Sequence, residues 1–510
     1  MFSKKTPLVE PKASLLTEDE KREFRGIDFP FENLALEGGG GKGLAYIGVV
    51  RVFEELGLMK NIKRFAGSSA GSIIATFLAL GCDSYEIQKL LDPNFSPLIY
   101  DGSWGWLGQL VNLVRKLGAH PGNKLKHWIA GTVLNKTGNK NYTFRQLYKE
   151  SGVELCIVGA DLNKMDAVYF HVKTTPDMPI YLAARASASI PAVLRPVKFR
   201  QSFFVDGGLL CNYPVHAFDG WYLSMDPKDS YFARFGDLTN ASKKWDKSER
   251  FGELNDKTLG ILLFSTSEQD TMKTVLDDRI AKYGGKPVPT PSTKLSRKMA
   301  KKNEKVQNST GDIKEAVSRL MTMLNGADAD KSGSISKEEF RTSFQQNRGK
   351  LTANDIRLLF ECEDNPDAIF DIIDSDGSGE IEYTELVQLG ARRGVDLLQT
   401  LSGYERREIS SITELLGSLV DTLLLNVQRV TTRSSDFSRT IGINTKYLDA
   451  FDWDMERADK NFLIECGKQA TLSYLREYMS TSKQPKESEK LITVETRETG
   501  IEAIFEKMTK

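Results

Sequence analysis

Three short glycine-containing segments, far apart along this chain, each demand a sharp change of backbone direction beside an apolar run. They are Gly38-Gly39-Gly40-Gly41-Lys42-Gly43, Gly67-Ser68-Ser69-Ala70-Gly71 and Asp206-Gly207-Gly208. Asn33-Leu34-Ala35-Leu36 reads as a strand entering the first, and Leu44, Ile47, Val50, Val52, Phe53 and Leu56 recur behind it at helical spacing. A glycine loop between strand and helix can turn successive N–H groups towards one point, where the helix N-terminus adds positive potential. Glycine permits this because it tolerates positive φ and lets an anion approach the main chain. The segment also fits the G-x-G-x-x-G of dinucleotide sites, but the region about 20 residues on, where such a site wants an acid, carries Lys60, Lys63 and Arg64. It is not a P-loop, because Gly43 follows Lys42.

Ile62-Lys63-Arg64-Phe65-Ala66 is the next candidate strand, and Ala70 to Leu80 a helix stopped at Gly81. Ser69 falls on the turn between them. Small neighbours there permit a strained elbow that exposes Oγ at the end of a sheet. Phe203-Phe204-Val205 leads into Asp206-Gly207-Gly208, a strand end and tight turn that can supply a carboxylate base, or be an ordinary turn in which Asp bonds its own backbone. An oxyanion-binding loop, a presented serine and a carboxylate are the parts an acyl-transfer site needs.

These segments resemble the patatin-like phospholipase family. The likeness extends to Thr143-Phe144-Arg145-Gln146-Leu147-Tyr148, to the run Ala184 to Pro191 and to Asn212-Tyr213-Pro214-Val215, roughly covering Phe31 to Leu263 and Leu416 to Tyr478. The resemblance implies an α/β fold, a sheet flanked by helices in three α/β/α layers, and hydrolysis of acyl esters in phospholipids or neutral lipids. It implies a dyad without histidine: Ser69 as nucleophile, Asp206 as base, and the N–H groups of Gly39, Gly40 and Gly41 as oxyanion hole. Gly38, Lys42, Gly43, Gly67, Gly71, Gly207 and Gly208 support the motifs, Lys42 standing where relatives carry Arg or Lys. The chain has four histidines, and His216, ten residues after Asp206, is the one near a motif; it reads as a surface histidine. A desolvated site would raise the Asp206 pKa and make it a better base.

A second signal lies between the two parts of this body. Asp328-Ala329-Asp330-Lys331-Ser332-Gly333-Ser334-Ile335-Ser336-Lys337-Glu338-Glu339 and Asp374-Ser375-Asp376-Gly377-Ser378-Gly379-Glu380-Ile381-Glu382-Tyr383-Thr384-Glu385 both fit the twelve-residue EF-hand loop. Asp328, Asp330, Ser332, Ser334 (through its carbonyl) and Glu339 are the expected ligands of the first loop. Asp374, Asp376, Ser378, Glu380 (through its carbonyl) and Glu385 are those of the second. Both loops are expected to bind Ca²⁺ in a regulatory or structural role, not a catalytic one. Glu382 gives the second an extra acid, which predicts tighter binding there. Ile335 and Ile381 are placed to pair across a small β-bridge. The loops start 46 residues apart (374 − 328), so an extra turn is expected at Glu361 to Pro366.

The remaining features bound the setting. The chain has 510 residues, and its 69 basic and 69 acidic residues balance, so nothing drives it towards nucleic acid. No run of 18 apolar residues occurs; Ile412 to Val430 reads as an amphipathic helix. Five scattered cysteines and a polar start fit a reducing, cytoplasmic setting with peripheral contact to a membrane or lipid-droplet surface. Gly284 to Ser309 carries Pro287, Pro289 and Pro291 and then six basic residues against one acid. It reads as a flexible linker or, more sharply, as a patch for anionic headgroups. The expected order is an N-terminal extension (1–30), the body's first part (31–283), a basic Pro-containing linker (284–310), the inserted EF-hand pair (311–400), the body's second part (401–478) and a polar tail (479–510). The composite predicts a calcium-binding lipid acyl hydrolase, with calcium regulation at the two EF-hands an expectation to be tested. A calcium sensor on an inactive scaffold and a lipid acyltransferase are the competing readings, and no protein partner is identified.

Overall fold

A computed structural model describes residues 13–102, 117–235, 241–268, 271–306, 312–393 except 325–326, 329–331, 348 and 350, and 418–482 except 420–421, 424–425 and 428–429. Its strands are β1 (Asn33–Leu36), β2 (Arg64–Ser68), β3 (Gly118–His120), β4 (Glu154–Asp161), β5 (Asp166–Phe170), β6 (Ala192–Leu194), β7 (Val197–Phe199), β8 (Ser202–Asp206), β9 (Thr258–Phe264), β10 (Ile335–Ser336), β11 (Glu380–Ile381) and β12 (Thr440–Asn444). β12, β9, β1, β2 and β4 run parallel in that spatial order, and β5 pairs antiparallel with β4. β3 and β6 form a separate two-stranded pair.

These central strands are near-continuous apolar runs because both faces of the sheet are covered. Leu34, Leu36, Phe65, Ile261 and Ile443 enter one core with the helices Tyr46–Glu55, Ser69–Ala79 and Arg457–Ser482. The alternating Ala35, Ala66, Val158, Leu262 and Phe264 enter a second core with Tyr213, Trp221 and Phe251. A period of two feeding two cores is the three-layer α/β/α arrangement. Residues 13–30 join the first core through Leu16, Phe24 and Phe29.

One register fact positions the chemistry. Gly159 of β4 pairs with Val168 of β5 and also with Asp206 of β8, so β5 and β8 lie on opposite edges of β4. Ile157 likewise pairs with both Phe170 of β5 and Gly67 of β2. β2 and β8 therefore share one edge of β4 and run end to end, with Ser68 opposite Val158 and Asp206 opposite the next residue, Gly159.

The EF-hand region has its own core, which includes Val317, Phe340, Phe360, Phe370 and Ile381. Ile335 and Ile381 pair antiparallel, as their loop position requires. The long spacing between the loops arises from more than an extra turn. Two helices, Ala353–Phe360 and Pro366–Ile373, precede the second loop, broken where Glu361 takes φ 56° and Pro366 opens the next helix. The region lies between β9 and β12, which are neighbours in the sheet.

Residues 284–306 differ from the expected flexible linker. They contain the helix Lys294–Val306, tied to the body where Thr293 Oγ1 donates to buried Asp459 Oδ1 at 2.6 Å and Lys294 N to Glu456 Oε1 at 2.9 Å. Residues 412–417, 420–421, 424–425 and 428–429 of the expected amphipathic helix and most of the polar tail, 483–510, lie outside the described residues.

Candidate active site

β2 ends at Ser68, and Ser69 opens the helix Ser69–Ala79 with φ 49°, a left-handed value that a residue with a Cβ rarely adopts. The elbow is tight because its flanking glycines touch backbone: a Cβ on Gly67 would lie 2.4 Å from Gly71 O, and one on Gly71 2.4 Å from Glu37 O. Ser69 N donates to Ser187 Oγ at 2.9 Å, which fixes the elbow to the helix Ile180–Ser187. Ser69 Oγ donates to Asp206 Oδ2 at 2.7 Å, and Asp206 Oδ1 accepts Gly208 N at 2.8 Å. A Cβ on Gly207 would lie 2.2 Å from Val158 O, so the turn after Asp206 is pressed against β4. Burial pushes the Asp206 carboxyl up to about 7, although the bonds from Ser69 and Gly208 pull the other way.

The glycine loop follows β1. Gly38 N donates to Asn212 O at 3.0 Å, and Asn212 Nδ2 returns to Gly38 O at 3.0 Å and to Glu37 Oε1 at 3.1 Å. Gly41 does not fit the expected oxyanion role: its N–H donates to Ala450 O at 2.8 Å, because the segment after β12 crosses the loop there. Gly39 and Gly40 stand at the start of the 3₁₀ turn Gly40–Ala45, where N–H groups have no partner within the helix. Gly40, with φ 53°, lies so close to Ala450 that an added Cβ would sit 2.1 Å from its carbonyl oxygen. Gly43 is less constrained, since the nearest atom to an added Cβ would be 3.7 Å away.

Lys42 is buried and bonds Glu268 Oε2 at 2.6 Å. Burial opposes the Glu268 charge, but Lys42 and Lys273 outweigh it and hold that carboxyl down at about 2. Glu37 sits beside this pair, its Oε2 accepting Leu263 N at 2.6 Å, and burial pushes it up to about 7. Glu37, Glu268 and Lys273 carried no sequence signal of a role. Ser187 and Asn212 lay in recognised segments without one.

Two cavities meet at Ser69. A cleft is lined by Asp206, Lys42, Glu268, Lys273 and the glycine loop. An apolar cavity is lined by Leu44, Ile73, Phe95, Leu125 and Trp128. Trp453 borders both.

The described histidines are engaged elsewhere. His216 is buried, not at the surface, because Tyr169 OH bonds its Nε2 at 2.8 Å and Phe251 packs edge-on to it at 4.9 Å. His171 Nε2 lies 3.1 Å from Glu154 Oε2, and His120 Nδ1 accepts Gly102 N at 3.1 Å. His127 is exposed on the helix Asn123–Thr137.

In the second EF-hand loop, carboxylate oxygens of Asp374, Asp376 and Glu385 lie within 4.8 Å of one another. A Ca²⁺ ion holds oxygens at about 2.3–2.6 Å, so oxygens on opposite sides of it stand up to about 5 Å apart, and this donor set fits. Asp374 accepts Ser378 N at 3.0 Å and Gly379 N at 2.9 Å, and Ser378 Oγ lies 2.9 Å from Glu380 O. The first loop repeats the pattern: Asp328 accepts Ser332 N and Gly333 N, each at 3.0 Å, and Ser332 Oγ lies 3.2 Å from Ser334 O. Glu339 bonds Ser336 N at 2.9 Å as part of a capping box. Asp330 lies outside the described residues.

Residues 34–219 match the family model described as patatin-like phospholipase, and residues 321–345 and 367–389 match an EF-hand model. An uncharacterized protein of Acanthamoeba polyphaga mimivirus is 37% identical over 190 residues, 37% of this chain and 61% of the relative. A probable lipid hydrolase of invertebrate iridescent virus 6 is 29% identical over 192 residues, 36% of this chain and 62% of the relative. The chain thus spans less than two thirds of the length of these relatives. The crystal structure of VipD from Legionella pneumophila aligns with a TM-score of 0.39 at 13% identity, covering 88% of this chain and 67% of that one.

Proposed function

Because residues 34–219 form a patatin-like phospholipase domain and residues 321–345 and 367–389 form EF hands, we propose that this chain hydrolyses carboxylic esters of lipids through Ser69 and Asp206 and binds Ca²⁺ at its two inserted loops. The observation that carries the reading is the 2.7 Å hydrogen bond from Ser69 Oγ to Asp206, at the junction of an apolar cavity and a polar cleft.

In the proposed reaction an acyl chain occupies the apolar cavity and its ester carbonyl sits beside Ser69. As Oγ attacks the carbonyl carbon, its proton passes to Asp206 Oδ2. A carboxylate at its usual pKa is a weak base for this step, and burial that lifts it to about 7 improves the match. The N–H groups of Gly39 and Gly40 stabilise the tetrahedral oxyanion; each such donor is worth about 3–4 kcal/mol. Asp206 then protonates the departing alcohol; water, deprotonated in turn by Asp206, attacks the acyl carbon, and Asp206 returns that proton to Ser69 Oγ as the acid leaves. Asp374, Asp376, Ser378, Glu380 and Glu385 would hold one calcium ion, and Asp328, Asp330, Ser332, Ser334 and Glu339 a second. Bound there, the ion supplies charge neutralisation and loop order, not a catalytic step.

Hydrolysis of a soluble short-chain ester tests the dyad. Ser69→Ala and Asp206→Asn are each expected to lower kcat/KM by about 10³-fold or more, with cooperative unfolding retained. Full turnover by either variant refutes the dyad. Asp206 binds its proton more tightly folded than unfolded, so its contribution to stability falls as pH rises from about 4 to about 7. Asp206→Asn is therefore expected to melt above the parent at pH 8, which thermal unfolding reads.

A further inference from the structure

At the carboxyl end of the sheet, where the glycine loop and Ser69 lie, two turns project beyond the strands. One joins β4 to β5 and the other joins β7 to β8. β8 runs end to end with β2, so the second turn stands about 13 Å from Asp206, at about 3.3 Å per strand residue. The first turn exposes Met165 at 89% and Leu162 at 51%, with Lys164 between them. The second exposes Lys198 and Arg200, each packed over an aromatic ring: Lys198 over Phe203 at 5.6 Å, Arg200 over Phe199 at 5.5 Å. The turns are held together where Leu162 N donates to Phe203 O at 3.0 Å and Phe203 N to Asn163 Oδ1 at 2.7 Å. Of the acids on these turns, Asp161 is buried and pairs with Lys164 at 3.6 Å while Asp166 is exposed, so three exposed cations stand against two acids, and Lys198 and Arg200 carry the uncompensated charge.

An exposed methionine and leucine ringed by cations, at the end of the sheet that carries Ser69, match the two layers of an anionic membrane surface: acyl chains below, negative headgroups above. We propose that the β4–β5 and β7–β8 turns form the docking face of this protein on anionic bilayers. Met165 and Leu162 enter the interface, and Lys164, Lys198 and Arg200 engage headgroups, so that the mouth of the Ser69 cleft faces the lipid. The inference rests on the lipid-hydrolase reading of that cleft. The basic helix Lys294–Val306 is the competing surface, but Asp449, Asp452 and Glu456 lie against it and offset its charge.

The test measures binding without turnover. Full-length Ser69→Ala protein is sedimented with phosphatidylcholine vesicles, with and without phosphatidylserine. The parent is expected to favour the phosphatidylserine vesicles, with affinity falling as salt rises. Lys164→Gln/Lys198→Gln/Arg200→Gln is expected to bind them about tenfold more weakly or worse. Met165→Asp removes insertion without removing packing, and a loss of similar size is expected. Lys294→Gln/Arg297→Gln/Lys298→Gln/Lys301→Gln is expected to stay within about twofold. In the Ser69 background each set is expected to hydrolyse soluble ester at the parental rate. Unchanged vesicle binding by both turn variants, equal binding to both vesicle types, or loss confined to the helix variant overturns the proposal. Vesicle binding as expected with no soluble-ester hydrolysis by the parent would remove the hydrolase reading and leave the docking face standing.

Discussion

The patatin-like body and the EF-hand insert hold carboxylates under opposite conditions. Asp206 lies inside the body, and burial lifts it to about 7. Asp376 stands in solvent at the second calcium loop, and the Ser378 backbone N–H holds its carboxyl below the usual carboxylate range. A base must be reluctant to lose its proton, so it is kept dry. A calcium ligand must be charged before the ion arrives, so it is kept wet and surrounded by N–H donors. The same contrast governs scaffolding. The Ser69–Asp206 contact is set by strand register deep in a two-faced sheet. The loop oxygens are gathered by turns whose sixth-position glycines, Gly333 and Gly379, take φ 90° and 82°.

The largest effect expected from a single added methyl group is in the glycine loop. Gly40→Ala forces a Cβ to within 2.1 Å of Ala450 O at a φ of 53° and moves the N–H proposed to meet the oxyanion. It is expected to cut kcat on soluble ester by about 10²–10³-fold. Gly43→Ala, three residues on, meets nothing closer than 3.7 Å, and the rate is expected to hold within about threefold. Equal losses in the two variants would show that the loop acts only by packing.

A smaller effect links the two regions. The segment that caps Gly41 through Ala450 follows β12, the strand that resumes the body after the calcium insert. If calcium changes the insert's helix angles, this segment is the route by which the glycine loop would feel it. Hydrolysis of phospholipid vesicles is therefore expected to differ severalfold between EGTA and saturating calcium. Glu385→Gln is expected to erase the response at lower calcium than Glu339→Gln, because the second loop carries the extra acid Glu382. Rates indifferent to calcium would separate the regions functionally.

Much of both regions was legible in the sequence, for different reasons. The calcium loops are local: twelve consecutive residues carry ligands, glycine and the bridging isoleucine, so spacing alone located Ile335 opposite Ile381. The dyad is not local. The sequence marked Ser69 and Asp206 as turn residues after strands, but their meeting depends on β2 and β8 sharing one edge of β4, which no short-range pattern encodes. Gly41 was misassigned for the same reason, since its N–H partner lies on Ala450. His216 read as a surface residue because Tyr169 and Phe251, which enclose it, are remote in sequence. The helix Lys294–Val306 was hidden by its charge. Leu295 and Met299, four residues apart and both packed against the main core, were the signal that it docks.

The central claim is that a buried aspartate, unaided by histidine, activates Ser69. A fluorophosphonate that labels active serines tests it most directly, with the labelled peptide identified by mass and the labelling rate followed against pH. The account predicts one adduct, on Ser69. Its rate should fall below about pH 7 as Asp206 takes up its proton. The acid limb should persist in Glu37→Gln, and labelling should be lost in Asp206→Asn. An adduct on another residue, or parental labelling rates in Asp206→Asn, would contradict it.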